Sequence, residues 1–251
     1  MKNKKIITND DLTIRRYSTG IIKLDTLLNG GLPIKNIVNI NGPSGVGKTT
    51  IMLQIARNVI TKYNKRVIYF DIDGGATYEL IESLGAASLL YDDINNPDGK
   101  LFLLNVSTME DIITIMDTFA LDENTALIII DTETSVTNKA VIEDDSLGTE
   151  NNGTILKTTM WRRKAKTFKA IMRKSNATLI LVSQCRYDNS KIKLKSAASL
   201  GIEYMRCGEI SIKLISKSIE YKMKISLRTS KGKILKSKHK ITTDLVYGKG
   251  I

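Results

Sequence analysis

The sequence is poor in the residue types that most metal and redox chemistry needs: its 251 residues include one histidine and two cysteines. Cys185 and Cys207 have neither CxxC nor zinc-ligand spacing and read as free thiols with no assigned chemistry. His239, set in the lysine-rich run 236–240, reads as a solvated loop residue rather than a ligand. No metal cluster, nucleophile triad or redox motif is present in the sequence. No apolar run approaches the roughly 20 residues of a membrane span. The opening residues, Met1 to Lys5, are not followed by the apolar stretch of a signal peptide. A cytoplasmic protein with no membrane partner is therefore expected. Internal repeats and low-complexity linkers are also lacking. With 42% hydrophobic and 25% charged residues, the chain has the composition of one globular domain.

Acidic residues are the minority charge. Lys and Arg total 38 against 26 Asp and Glu, a net +12. From Arg186 to Ile251 there are 16 basic and 5 acidic residues, so +11 of that excess lies in this segment. A basic face suits a polyanion such as nucleic acid, but it also suits a solvated lysine-rich surface. Charge alone leaves both open.

Hydrophobic periodicity gives an alternating β/α order. Ile37 to Ile40 reads as a buried strand, and Ile51, Ile55, Val59 and Ile60 fall at helical spacing after it. Strands follow at Val67–Phe70, Leu101–Val106, Ala126–Ile130 and Thr178–Ser183, the nearly pure apolar ones suiting a parallel sheet covered on both faces. Helices are expected from Tyr78 to Leu84 and, opened by a capping box at Ser107–Glu110, onward to Leu121. Trp161, Ala165, Phe168 and Met172 line the core face of another helix, opposite Arg162, Arg163, Lys166, Lys169 and Arg173. Ile210, Ile212 and Leu214, then Met223, Ile225 and Leu227, switch to period two and predict an antiparallel meander. The fold class is α/β with a mixed, mostly parallel sheet flanked by helices and a C-terminal antiparallel extension.

Gly42-Pro43-Ser44-Gly45-Val46-Gly47-Lys48-Thr49 fits the P-loop pattern G-x-x-x-x-G-K-[ST] and lies between the strand and the helix that the pattern requires. The glycines permit a tight turn whose N–H groups, with the start of the helix at Thr50, face phosphates. Lys48 is expected to neutralise β- and γ-phosphate charge, and Thr49 to offer its hydroxyl to Mg²⁺. Asp131, ending a buried strand, is the expected carboxylate that holds Mg²⁺ through water. ATP and Mg²⁺ are thus the cofactors implied.

Around these motifs the sequence resembles the RecA family over about residues 18–251. The resemblance rests on Ser18 to Gly20, Leu24-Asp25 and Asn29 to Pro33 before the P-loop, and on the gapless run Asp131 to Glu143. It also rests on Ser175-Asn176 with Leu179 to Gln184 and Arg186, and on the closing Tyr247 to Ile251. It implies a RecA-like P-loop ATPase core in residues 18–251, preceded by a short basic arm, residues 1–17, and with no C-terminal domain. Lys4 to Thr8 could supply a strand exchanged between subunits. Gln184 is implied as the γ-phosphate sensor, Asp144 to Gly153 as DNA-binding loop one, and Tyr187 to Leu200 as a shortened loop two. DNA-binding residues are then Arg186, Lys191, Lys193 and Lys195. Arg228 and Lys231, with Lys233, fall near the basic residues that reach a neighbouring subunit's ATP, and Tyr78 is a candidate adenine-stacking residue. The family's catalytic glutamate falls on Asp73, one methylene shorter, which makes Asp73, Lys48 and Gln184 the expected catalytic set.

The implied activity is DNA-stimulated ATP hydrolysis by a filament or ring on single-stranded DNA that pairs with homologous duplex, in a bacterial or phage-infected cell. The trimmed core and lysine-rich composition resemble phage or mobile-element recombinases. A weakly or non-hydrolytic DNA-binding accessory or annealing protein is the alternative. A clock-type or helicase-type ATPase of the same fold accounts for the P-loop but not for the run after Asp131.

Overall fold

The computed structural model describes residues 13–139, 150–188, 193–196, 202, 205–217, 222–230, 240–246 and 250–251. In chain order the first elements are β1 (Arg16–Tyr17), α1 (Ile22–Leu27), β2 (Leu32–Pro33), β3 (Ile37–Gly42), α2 (Lys48–Tyr63) and β4 (Arg66–Asp71). Then come α3 (Tyr78–Ser83), β5 (Leu101–Leu104), α4 (Met109–Phe119), β6 (Thr125–Asp131) and α5 (Glu150–Lys174). The last are β7 (Thr178–Asp188), β8 (Lys193–Ser196), β9 (Gly208–Lys217), β10 (Lys222–Ser230) and β11 (Lys240–Val246).

The main sheet has the order β11-β10-β9-β3-β7-β6-β4-β5, with β8 attached to β7. From β9 to β5 every neighbour is parallel, whereas β10 and β11 continue the edge in antiparallel fashion. The mixed, mostly parallel sheet with a C-terminal antiparallel extension is the architecture the periodicity implied. β1 and β2 form a separate pair, and Tyr17 is already buried in the core.

Every residue of β3, β4 and β6 is buried, as expected for strands covered on both faces. One face packs Val38, Ile40, Val67 and Ile129 under Ile51, Ile55 and Val59 of α2. The other packs Ile37, Phe70, Ile128 and Leu179 under α4 and under Trp161, Phe168 and Met172 of α5. Each such side chain contributes roughly 1.5–3 kcal/mol by leaving water. Trp161 and Phe168 stack at 5.4 Å, so the α5 aromatics are core, while Arg162, Arg163, Lys166 and Arg173 are exposed.

Four local expectations change. The cap of α4 is Thr108, not Ser107, and the helix ends at Phe119. Ser107 and Met109 are bonded through their backbones to Thr137, which holds the chain extended one residue longer and moves the helix start. Residues 150–153, expected within loop one, form the first turn of α5. Asn and Gly are poor helix formers, and the longer helix overrides that weak preference. Residues 187–188, expected to open loop two, continue β7, and β8 pairs back on it from Cys185↔Ser196 to Asp188↔Lys193. The alternation of lysine with Ile192 and Leu194 is a period-two signal for that hairpin arm.

Candidate functional site

Parallel strands place their carboxyl ends along one edge, and ligand sites of open α/β sheets lie there. At this edge β3 runs into residues 43–47, β4 ends at Asp71, β6 at Asp131, and Gln184 of β7 pairs with Gly42. Together they border a cavity of about 480 Å³ lined by Ser44, Gly45, Gly47, Lys48, Thr49, Thr50, Asp71, Asp73, Asp131, Thr132 and Gln184.

Gly47 caps α2 with φ 84°, a left-handed conformation that glycine adopts at little cost. Gly42 is needed for a second reason, because a Cβ there would stand 2.9 Å from the Ile212 carbonyl oxygen. Val46 turns inward to the core and anchors the loop, while Pro43 contributes its carbonyl. The N–H groups at the start of α2 therefore open toward the cavity, where the helix dipole favours an anion.

Lys48 is only 8% exposed and folds back over the loop, donating to the carbonyl oxygens of Gly42 at 3.2 Å and Pro43 at 2.8 Å. Burial draws its pKa down from the ordinary lysine range. The charges of Asp131, Cys185 and Asp73 push it back up. Across from it, Asp131 Oδ2 accepts from Thr49 Oγ1 at 2.7 Å and from the buried Tyr69 hydroxyl at 2.8 Å. Burial raises the Asp131 pKa above the usual carboxylate value, and those two hydrogen bonds and Lys48 oppose the rise. Tyr69, wholly enclosed beside that carboxylate, is held well above an ordinary phenol. A hydroxyl and a carboxylate in contact form an oxygen donor set of the kind a small divalent cation takes.

Asp73 follows β4 in an exposed turn and lines the cavity, its Oδ2 accepting from Thr132 Oγ1 at 2.9 Å. Asp71 is buried and committed elsewhere: its two oxygens accept the Gly75 and Ala76 N–H groups, each at 3.0 Å. Tyr78 is 59% exposed at the start of α3 and is not among the residues lining the cavity, unlike its neighbour Thr77. Arg186 lies on β7 opposite Lys195, Lys193 lies on β8, and Arg228 lies on β10 between Ser211 and Lys240; these are backbone positions only. Lys191, Lys231, Lys233, His239, the Lys4–Thr8 segment and residues 144–149 of loop one lie outside the described residues.

Three participants were not legible in the sequence: Tyr69, Thr132 and the capping role of Asp71. The Asp-x-Asp spacing at the end of a strand hinted at the last. The motif before the P-loop also acquires a physical role. Asp25 accepts from the Thr19 N–H and hydroxyl and from the Ser18 hydroxyl, each at 2.7 Å, and so clasps α1 to the strand that precedes it.

A parallel sheet with a P-loop, a strand-end aspartate and a polar glutamine where the parallel pairing of β7 with β3 ends, all on one edge, defines a RecA-type P-loop ATPase core, a nucleotide-binding enzyme class. A family model described as "ATPase: KaiC" matches residues 17–251, and the chain belongs to that family. Among curated proteins it is 26% identical over 249 residues to Protein RecA of Helicobacter hepaticus, covering 95% of this chain and 68% of that one. It is 28% identical over 183 residues to Protein RecA of Colwellia psychrerythraea, covering 72% and 49%. The chain thus spans between about half and two thirds of the length of these relatives. The solved structure titled "Crystal structure of the RadB recombinase" superposes with a TM-score of 0.65 at 20% identity, over 92% of this chain and 97% of that one, a likeness of fold. Among the described residues no helix is long and apolar enough to cross a membrane.

Proposed function

We propose that the chain binds Mg-ATP in the 480 Å³ cavity, hydrolyses it with Asp73 as the water-orienting base, and couples nucleotide state to single-stranded DNA. The observation that carries this reading is the convergence of Lys48, Thr49, Asp131, Asp73 and Gln184 on one cavity, although they come from four different strand ends and loops. Lys48 would move from the carbonyls of Gly42 and Pro43 onto the β- and γ-phosphates, exchanging weak acceptors for charged ones. Thr49 and Asp131 would hold Mg²⁺, the carboxylate through water. That ion supplies neutralisation of the charge that develops on the phosphates.

Asp73 would take the proton of the attacking water as its oxygen bonds to the γ-phosphorus and the bond to the β-phosphate oxygen breaks. Gln184, on the strand that leads into the β7–β8 hairpin, would sense the γ-phosphate and pass its state to DNA bound by Arg186, Lys191, Lys193 and Lys195. Tyr78 would stack on adenine at the open rim. In an assembled filament or ring, Arg228 and Lys231 of one subunit would approach the ATP of the next, so that hydrolysis weakens the interface. Pairing of the bound strand with homologous duplex is the activity this arrangement serves. Relatives named RecA and the +11 charge of residues 186–251 support the DNA reading.

One observation favours the second reading, a weakly hydrolytic accessory or annealing protein: Asp73 is short, exposed and already engaged by Thr132. ATP turnover measured with and without single-stranded DNA separates the two. Turnover stimulated by DNA is expected; DNA binding without turnover selects the accessory reading.

A further inference from the structure

The register between β4 and β6 sets two loop residues against each other. Asp71 pairs with Asp131, and the Ile72 N–H donates to the Asp131 carbonyl at 2.8 Å, so the chains leaving the two strands run side by side. That places Thr132 Oγ1 2.9 Å from Asp73 Oδ2. Asp73 is exposed in a turn followed by Gly74 at φ 69°, so little packing limits where its carboxylate points. Thr132 is the opposite case. It is 3% exposed, and its hydroxyl oxygen lies 2.8 Å from Thr134 Oγ1 and 3.3 Å from Ser135 Oγ. A hydroxyl carries one proton and can accept two hydrogen bonds. Its proton is given to Asp73, so the Thr134 hydroxyl donates into Thr132, and the two dipoles align toward the carboxylate.

We propose that Thr132 is a positioning residue for hydrolysis: its buried hydroxyl holds the Asp73 carboxylate toward the attacking water. The inference rests on the reading of Asp73 as the water-orienting base. It explains how an aspartate can serve where a longer side chain would reach further. With one fewer rotatable bond to fix, a single charge-assisted hydrogen bond suffices to select its orientation.

The test is ATP turnover, with single-stranded DNA present, by the parent chain, Thr132→Val, Thr132→Ser, Asp73→Ala and the Thr132→Val/Asp73→Ala double variant. Valine keeps the shape and deletes the donor. Losing a hydrogen bond to a charged group should lower kcat about tenfold while KM for ATP stays within about twofold. Thr132→Ser should recover turnover to within about threefold of the parent. In the Asp73→Ala background Thr132→Val should cost nothing more, because the group it orients is gone. Unchanged kcat in Thr132→Val, or an equal loss in both backgrounds, overturns the proposal while leaving the base reading intact. Parent-like turnover by Asp73→Ala overturns the base reading itself, and the positioning role with it.

Discussion

Replacing Lys48 with alanine should separate nucleotide binding from folding. The Lys48 ammonium is buried against two carbonyl oxygens, with Asp131 and Asp73 as the neighbouring carboxylates that sense its charge. Removing it relieves the desolvation of a cation, and water entering the space that Lys48 leaves at the cavity wall can bond the two carbonyls instead. The stability of the nucleotide-free protein should therefore change by no more than about 1 kcal/mol. Bound phosphates would lose two charge-assisted hydrogen bonds, each about 1.5–3 kcal/mol, so ATP affinity should fall at least about a hundredfold. At an ATP concentration of about 100 Kd the parent gains roughly 2.7 kcal/mol of stability, whereas at about one Kd the variant gains roughly 0.4 kcal/mol. For a chain of this length each kcal/mol moves Tm by about 2–4 °C. Thermal unfolding with and without Mg-ATP should thus show a ligand-induced rise of about 5–10 °C in the parent and about 1 °C in Lys48→Ala. An equal rise in both proteins would refute the placement of phosphates over Lys48; a variant that melts far below the parent without ligand would refute the claim that its burial is dispensable for folding.

Asp73→Ala should reduce hydrolysis about a hundredfold or more with ATP and DNA binding retained, and Asp73→Glu should maintain or raise turnover if the longer side chain reaches the water; steady-state kinetics beside a filter-binding assay reads both. Affinity for single-stranded DNA should fall steeply between about 50 and 200 mM salt, and replacing Lys191, Lys193 and Lys195 with alanine should flatten the slope of log K against log salt, whereas a slope near zero in the parent removes the DNA reading. Burial pushes the Cys207 thiol up to about 12 from 9.0, so at pH 8 the folded chain should react with a thiol reagent at the half-buried Cys185 long before Cys207, as peptide mapping would reveal. A raised thiol pKa means that the stability Cys207 contributes is fully present below about pH 9 and is lost as pH rises toward 12, so Cys207→Ala should lessen the alkaline fall in Tm over that window.

What the sequence determined by itself is local in the chain. The P-loop is eight consecutive residues whose identities prescribe a turn and a helix start. Asp131 and Gln184 were legible because each follows an apolar run, and the place where parallel pairing ends is fixed in this class of fold. The α5 aromatics declared themselves core through helical spacing, and the period-two tail declared its hairpins. Tertiary structure decided the rest, wherever a residue's role depends on a partner far along the chain. Tyr69 meets Asp131 across 62 residues, Thr132 meets Asp73 across 59, and Thr108 bridges to Thr137, whose N–H bonds the Ser107 carbonyl, which moved a helix cap that local spacing had put one residue too early. Asp71 and Asp73 both line the cavity, and only the fold ties Asp71 to the Gly75 and Ala76 N–H groups and Asp73 to the Thr132 hydroxyl. The physical reason is that register is a relation between two strands distant in sequence, which no local pattern of residues encodes. Composition can supply the carboxylates, but the register between β4 and β6 decides which hydroxyl the Asp73 carboxylate meets.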